Sequence, residues 1–325
     1  MQADQLWRWH RPNETNLEVS WCHQGHTCGD APAVVLIHGF GANTAHWRHT
    51  IPALSRHRAT YALDLIGFGG SSQPKAQLNG EQPGDDGLIY SFDLWGAQVA
   101  DFCREVVKGP VQLVGNSIGG VVALRAAQLL AEHPGSSPCR GVVLIDCAQR
   151  LMDDKQLATQ PAWMAWIRPL LKTMVRQRWL STALFRNAAR PSVIRSVLKQ
   201  AYPSGANVDD DLVQLLYQPT QRSGAAEAFR GFINLFNDHL APDLLAHFTI
   251  PVDLIWGERD PWEPLPEAQR WAKRYECIRS ITVIPGAGHC PHDEHPEPVN
   301  QQLERCLATQ ITSTAQPSGS SQQAT

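Results

Sequence analysis

The sequence of 325 residues has no apolar run long enough to cross a membrane and no cysteine pair spaced C-x-x-C. A membrane-spanning helix needs about 20 apolar residues, and residues 1–13 lack the apolar stretch of a secretory signal. We therefore expect the eight cysteines to be reduced thiols. The expected location is the cytoplasm rather than the outside of the cell, with peripheral contact to an internal membrane left open.

Charge is also scarce, because only 18% of the residues are Asp, Glu, Lys or Arg and the net charge is -3. Without an excess of basic residues, nothing in the overall charge indicates a nucleic-acid partner. Hydrophobic residues make up 43% of the chain, which is enough to form a sizeable core. The length allows one large domain or a core domain with an insertion.

Short apolar segments alternate with helical patterns along most of the chain. The predicted strands are 18–21, 33–38, 59–63, 111–114, 141–145, 252–256 and 281–284, and the predicted helices are 91–107, 119–131 and 266–275. This alternation is typical of an α/β fold in which a mostly parallel sheet has helices on both faces. It stops after Asp146 and resumes near Val252. We therefore predict a core at 1–148 and 250–308, an inserted helical cap at 149–249, and a disordered tail at 309–325.

The segment "VQLVGNSIGG" places Ser117 between a buried strand and a helix. Gly115 and Gly119 complete the pattern G-x-S-x-G, with Asn116 before the serine, as in a nucleophile elbow. Such a turn presents the hydroxyl at the carboxyl end of the strand and leaves the next N–H free at a helix N-terminus. A plain glycine-rich turn with an unused serine is the alternative. The position between strand and helix favours the catalytic interpretation.

The base and acid that a serine nucleophile needs are expected downstream. Asp260 follows a predicted strand in "GERD", and His289 follows the next strand in "GAGH". Asp146, which ends the strand "GVVLID", is an alternative acid. The N–H groups of Ile118 and of Phe40 in "HGFG" are the expected oxyanion donors.

His289, His292 and His295 are spaced H-x-x-H-x-x-H, which raises the question of a metal site. The glycine-rich loop and the serine favour the hydrolytic interpretation, so no metal and no cofactor are expected. His292 and His295 are instead expected to face solvent or to bond to nearby Asp293 and Glu294.

Four motifs in this order, "HGFG", "GNSIGG", "GERD" and "GAGH", resemble the α/β-hydrolase superfamily over roughly residues 31–307. The segments "LIHGFGANTAHWRHTIPAL" and "YSFDLWGAQVADFCREVV" look like plant and cyanobacterial hydrolases of the pheophytinase and chlorophyll dephytylase group. Members of that group cleave the phytyl ester of chlorophyll-type pigments. The resemblance implies Ser117 as nucleophile, His289 as base and Asp260 as acid. It leaves the acid open to Asp146, which stands where the group is expected to carry a neutral residue.

The predicted cap carries the information on substrate. An apolar helical stripe is formed by Trp163, Trp166, Ile167, Leu170, Leu171 and Met174. It either packs on the core or covers an apolar substrate, with Trp163, Ile167 and Trp262 as the expected pocket residues. Residues 161–200 contain eight Lys or Arg and no Asp or Glu. This segment is either a solvated basic face or a surface that binds an anionic membrane.

The sequence thus predicts a serine hydrolase that cleaves a lipophilic carboxylic ester. Two alternatives remain. A C–C bond hydrolase can use the same three residues, and product analysis separates the two reactions. A hydrolase fold can also serve as a ligand receptor with little turnover.

Overall fold

The structure of the protein is a computed structural model. It describes residues 5–11, 16–26, 31–81, 87–132, 138–150, 153–155 and 162–313, with side chains outside 162–168 and 311–313. Within this part of the chain, no helix is both long enough and apolar enough to span a bilayer.

The described residues form ten strands, eight of which make the central sheet of the fold. The strands, in chain order, are β1 (Gln5–Trp9), β2 (Leu17–Gln24), β3 (Ala33–Ile37), β4 (Thr60–Leu63), β5 (Lys75–Ala76), β6 (Gly87–Leu88), β7 (Val111–Asn116), β8 (Cys139–Ile145), β9 (Val252–Gly257) and β10 (Ile278–Ile284). The spatial order is β1-β2-β4-β3-β7-β8-β9-β10, while β5 and β6 pair only with each other. The sheet is antiparallel from β1 through β2 to β4 and parallel from there to β10.

Twelve α-helices surround or cover the sheet within the described ranges. They are α1 (Thr50–Leu54), α2 (Phe92–Phe102), α3 (Ile118–Glu132), α4 (Ala162–Arg176), α5 (Arg178–Ala188), α6 (Pro191–Ala201), α7 (Asp210–Thr220), α8 (Ala225–Ile233), α9 (Ala241–Leu245), α10 (Leu265–Arg274), α11 (Pro291–Glu294) and α12 (Pro296–Ser313). A short 3-10 turn, Thr44–Trp47, precedes α1, and a π turn, Cys103–Val107, continues α2.

The central strands consist mostly of apolar residues because both faces of the sheet are covered. Val35 and Leu113 face a core that contains Trp95 of α2 and Leu124 of α3. The opposite face, which includes Val114, packs in a second cluster against α1 and α12. Burial on both faces is the reason that these strands read as continuous apolar runs. The predicted α/β-hydrolase architecture is confirmed.

At its N-terminal edge the sheet differs from the prediction. The sequence indicated one early strand at 18–21, whereas β2 covers Leu17–Gln24 and a further strand, β1, pairs with it. In β1 the indoles of Trp7 and Trp9 donate to Glu105 and Asp101 of the α2 region. The alternating pattern of "QLWRW" is too short to identify this strand without its partner.

The predicted disordered tail is wrong for residues 309–313, because α12 continues to Ser313. Gln310 is fully buried, and its amide donates to the carbonyl of Val142 and to Asp253. The polar segment around Gln310 indicated a tail, because the buried partners of this glutamine come from strands that are distant in sequence. Residues 314–325 lie outside the described part of the chain.

Helices α4–α9 all lie between β8 and β9, where the sequence predicted the insertion. We call this group the cap. Its inner surface packs over the carboxyl ends of the parallel strands, with α7 against the 3-10 turn and α8 against β5. A cavity remains between the cap and this edge of the sheet, and the candidate site opens into it.

Candidate active site

Ser117 occupies a strained turn between β7 and α3. Its φ is +55°, which is unusual for a residue with a side chain. A Cβ on Gly115 would stand 2.1 Å from the carbonyl oxygen of Gly119, and one on Gly119 would stand 2.3 Å from that of Ile37. Only glycine at both positions allows the strand to reverse into the helix so sharply. This geometry is the strand–turn–helix arrangement expected of a nucleophile elbow.

His289 and Asp260 meet on neighbouring loops. The imidazole Nδ1 lies 2.8 Å from Asp260 Oδ2. The other carboxylate oxygen, Oδ1, accepts the backbone N–H groups of Trp262 and Glu263 at 2.9 and 3.1 Å. Burial opposes the ionisation of Asp260, but the hydrogen bond and charge of His289 outweigh it and hold the pKa of that carboxyl below its usual value. Asp260 is thus an ionised partner for the imidazole.

The structure brings Ser117 and His289 to the wall of the same cavity. Among the described residues, no hydrogen bond joins the Ser117 hydroxyl to the imidazole. In enzymes without substrate, catalytic hydrogen bonds are often long and tighten only when the complex forms. A hydrogen bond between Ser117 and His289 would therefore require one of the two side chains to move.

The loop after β3 lies directly against the serine. A Cβ on Gly39 would stand 3.1 Å from Ser117 Cβ, so the backbone at Phe40 passes close to the hydroxyl. Among the described residues, the N–H groups of Phe40 and Ile118 donate to no other backbone carbonyl. Both are free to bind an oxyanion. The Phe40 ring stacks on Phe232 of the cap, with the ring centres 3.9 Å apart.

The side chain of His38 links this loop to Leu65 through its two ring nitrogens. The N–H of Leu65 donates to Nε2 of His38 at 3.0 Å, so Nδ1 carries the hydrogen and donates to the carbonyl of Gly39 at 2.8 Å. Burial lowers the pKa of His38 to about 4. The neutral ring is therefore the form that holds the loop.

Asn116 has a second function that the sequence did not suggest. Its amide donates to the carbonyl of His289 at 3.1 Å and to that of Ile145 at 3.2 Å. The side chain thus ties the loop of His289 to the turn that holds Ser117. Nothing in the local sequence identifies this link, because the acceptor is a backbone carbonyl 173 positions away.

The cavity has a volume of about 530 Å³ and is mostly apolar. Its upper wall comes from the cap, through Phe185, Leu198, Leu216, Phe229 and Phe232. Trp262, an expected pocket residue, lies in the wall with its ring 4.8 Å from that of His289. The backbone of Trp163 and Ile167 lies in α4, but their side chains are outside the described residues, so their place in the pocket stays a prediction.

Glu263 is an unexpected polar group in this wall. Its Oε2 accepts the N–H of Gln149 at 2.7 Å. Burial is the main cause that raises the pKa of Glu263 to about 8. At neutral pH the carboxyl group is thus mostly protonated, and it offers the cavity a neutral polar contact rather than a charge.

The expectation for His292 is wrong. Its ring is buried, packs against Trp47 at 4.3 Å and His46 at 4.8 Å, and makes no hydrogen bond to any described residue. Burial lowers its pKa well below the usual value. The neighbouring Asp293 turns instead to Arg48 and to Tyr202. The sequence showed acidic neighbours, whereas the first turn of α11 points them in other directions.

His295 also departs from the expectation. It is half-buried, and its Nε2 makes no hydrogen bond to any described residue. The carboxylate of Glu294 is engaged by Ser204 and by the N–H of Gly288.

A sequence profile of the alpha/beta hydrolase family matches residues 34–302, and the chain belongs to this family. It is 30% identical over 320 residues to chloroplastic pheophytinase of Arabidopsis thaliana, covering 83% of this chain and 60% of that protein. It is 27% identical to the pimeloyl-[acyl-carrier protein] methyl ester esterase of Aeromonas hydrophila, covering 85% of this chain and 95% of the relative.

The fold is also similar to a thermophilic esterase from Thermogutta terrifontis. The TM-score is 0.67 at 21% identity, over 94% of this chain and 98% of the esterase. The predicted likeness to the pheophytinase group is confirmed at the level of sequence similarity.

Proposed function

We propose that this protein is a serine hydrolase that cleaves a carboxylic ester with a large apolar part. One observation carries the proposal: Ser117 and His289 line the same apolar cavity. Ser117 lies on its strained elbow, and His289 is held by Asp260. The named relatives include an ester hydrolase and a pheophytinase.

The proposed reaction follows the acyl-enzyme route. The Ser117 oxygen attacks the ester carbonyl carbon while His289 takes its proton. The N–H groups of Phe40 and Ile118 bind the oxyanion, and Asp260 stabilises the imidazolium. The C–O bond to the alcohol then breaks, and His289 returns the proton to the leaving oxygen. Water, activated by His289, releases the acid and restores Ser117.

Labelling by a fluorophosphonate probe tests the first step. Wild type should react rapidly, Ser117→Ala should not react, and a control variant at an exposed serine, Ser223→Ala, should behave as wild type. Folded wild type that stays unlabelled would contradict an activated serine and would favour the receptor alternative.

For the substrate we propose an ester with a long hydrocarbon alcohol, such as the phytyl ester of a chlorophyll-type pigment. The support is the similarity to pheophytinase and the apolar walls of the cavity. Turnover of a phytyl ester should exceed that of a short ester with the same acid. Equal kcat/KM for the two would remove the reason for this substrate class. If the protein were instead a C–C bond hydrolase, product analysis would show an acid with an enol or keto compound and no alcohol.

We also propose that the outer side of the cap binds an anionic lipid surface. Leu170, Leu171 and Met174 of α4 and Trp179 of α5 are exposed, Trp179 to 71%. The basic charge is only partly free, because Lys172, Arg178 and Arg195 pair with Asp154, Glu227 and Asp210. Among the described residues, Arg186, Arg190 and Lys199 lie in no ion pair. A cap that carries both exposed apolar side chains and unpaired cations suits an anionic bilayer.

Vesicle co-sedimentation tests the docking face. Wild type should bind anionic vesicles better than neutral ones, and Trp179→Ser should weaken both. Leu6→Ser is the matched control, because Leu6 is 64% exposed on β1 but lies outside the cap. Equal binding of all three proteins to anionic vesicles would refute the docking face.

A further inference from the structure

A second carboxyl group lies behind the acid of the proposed triad. Asp146 directly follows β8, has a φ of +42° and is fully buried. One of its carboxyl oxygens receives the N–H of Gly257 at 2.9 Å. Its own N–H donates to the carbonyl of Ile255. The backbone of two neighbouring strands thus fixes this side chain at the carboxyl edge of the sheet.

The other carboxyl oxygen, Oδ2, is buried and receives no hydrogen bond from the N–H and O–H groups of the described residues. Gly257 links the two acids, because its N–H donates to Asp146 Oδ1 and its carbonyl accepts the N–H of Asp260 at 3.4 Å. The carboxyl groups of Asp146 and Asp260 therefore lie at one turn and act on each other. Two ionised carboxylates in contact at a buried site repel each other, and an ionised oxygen without a donor is costly to bury. One proton shared between the two groups removes both costs.

The surroundings determine which residue holds that proton. Asp260 faces two backbone N–H groups and the imidazole, all of which stabilise its ionised form. Asp146 receives a single backbone N–H. The other titratable groups that act on Asp146 or feel its charge are Glu263 on the loop after β9, Cys147 next to it in sequence, and Cys290 beside the base. None of these is cationic, so none stabilises a charge on Asp146.

We propose that Asp146 is protonated in the folded protein and is a positioning residue, whose hydroxyl donates a hydrogen bond to the carboxylate of Asp260. The catalytic consequence rests on the proposed function. Asp146 would hold the Asp260 carboxylate toward His289 and would withdraw part of its negative charge, which limits the basicity of the imidazole. The direction of the pKa of Asp146, raised first by burial and then by the charge of Asp260, agrees with this arrangement.

Two variants at one position test the proposal. Asp146→Asn keeps a donor for Asp260 and an acceptor for Gly257, so kcat should stay within about twofold of wild type. Asp146→Ala removes the donor, and kcat should fall about tenfold, as for the loss of a hydrogen bond to a charged group. In this variant the acidic limb of the kcat/KM profile should move to higher pH, because an unshared carboxylate makes His289 a stronger base. Equal losses in both variants would overturn the positioning role.

A stability measurement reads the proton without any turnover. In the unfolded chain an aspartate loses its proton above about pH 3.9, whereas folded Asp146 keeps it. The unfolding free energy of wild type should therefore fall relative to that of Asp146→Asn as the pH rises from about 5 to about 8. A difference that does not change with pH would show that folded Asp146 is ionised, and the proposal would be wrong.

This measurement also separates two kinds of failure. If no ester is turned over but the pH-dependent difference is present, the proton on Asp146 stands and only the proposed function fails. If Asp146→Ala does not fold, the stability of Asp146→Asn and the infrared absorption of a protonated carboxyl group in wild type, lost in that variant, still decide the question.

Discussion

The floor and the roof of the cavity are built in different ways. The floor, formed by the carboxyl edge of the sheet, holds Ser117, Asp260 and His289 through backbone hydrogen bonds and glycine contacts from buried strands. The roof, formed by the cap, consists of amphipathic helices, and its outer helix leaves Leu170 62% exposed. The difference indicates that the sheet sets most of the geometry of Ser117, Asp260 and His289, whereas the exposed side chains of the cap can vary more freely.

The two parts meet at several places, and one of them, which we call the joint, lies at the end of α6. The N–H of His289 donates to the carbonyl of Ala201, the last residue of α6, at 2.9 Å. The next residue, Tyr202, is buried between floor residues: its hydroxyl donates to Asp293 at 3.0 Å and lies 2.8 Å from His46 Nε2. A roof residue thus supports the base of the floor. The following predictions separate floor, joint and roof.

The largest effect is expected in the floor. Asp260→Asn should lower kcat by about 10⁴, because an amide presents the wrong group to the imidazole and removes the charge that stabilises it. Fluorophosphonate labelling and ester turnover measure the loss. Asp211→Asn, at an exposed acid of α7, is the control. Retention of a tenth or more of wild-type kcat would indicate that another acid serves His289.

The next largest effect is expected at the joint. A Cβ on Gly288 would stand 2.1 Å from the carbonyl oxygen of Ala201, so Gly288→Ala should displace the loop of the base. A misplacement of about 1 Å at a catalytic group can cost about 100-fold in rate. Gly109→Ala is the matched control, since its Cβ would meet nothing nearer than 4.0 Å. Similar kcat values for the two variants would show that the contact between α6 and the loop of His289 can adjust without displacing the imidazole.

A smaller effect on activity, but a clear one on stability, is expected for Tyr202→Phe. It leaves an oxygen of Asp293 with one donor fewer and removes the partner of His46. Urea unfolding should show a free energy of unfolding lower by about 1–3 kcal/mol, which is typical of a buried polar group that loses its partner. The kcat should stay within tenfold of wild type. Tyr61→Phe, at a half-buried tyrosine of β4, should cost less. A larger loss of stability in Tyr61→Phe than in Tyr202→Phe would mean that the joint is held by other contacts.

The smallest effect is expected in the roof. Phe229 of α8 lines the cavity and lies near Phe40 and Phe185, with ring centres 6.2 and 5.5 Å away. Phe229→Ala should raise KM for a long-chain ester by up to about tenfold, for the apolar contact area lost, and leave the kcat of a short ester unchanged. A large fall in the short-ester kcat would show that the roof also organises the chemistry.

The floor is the part that the sequence predicts well. Ser117, Asp260 and His289 each follow a short apolar strand, and parallel strands bring their carboxyl ends to one edge. Each of these signals lies in a short stretch of sequence, so it can be recognised without knowledge of the fold.

The joint is not predictable in this way. The carbonyl of Ala201 and the amide of Asn116 both reach the loop of His289 across long sequence separations, and a backbone carbonyl leaves no trace in residue identity. Burial of His292 depends on the direction of a one-turn helix, which its acidic neighbours do not reveal. Protonation of Asp146 depends on a neighbour that is distant in sequence.

The hydrogen bond from His289 to Ala201 also limits how the cap can be exchanged. Because the base loop depends on the last turn of α6, a transplanted cap would carry part of the catalytic geometry with it. Chimeras that join the cap of one relative to the sheet of another should be cut after Pro203 rather than before α6, so that residues 191–203 stay with the parent sheet. New selectivity could then be introduced through α7 and α8 alone.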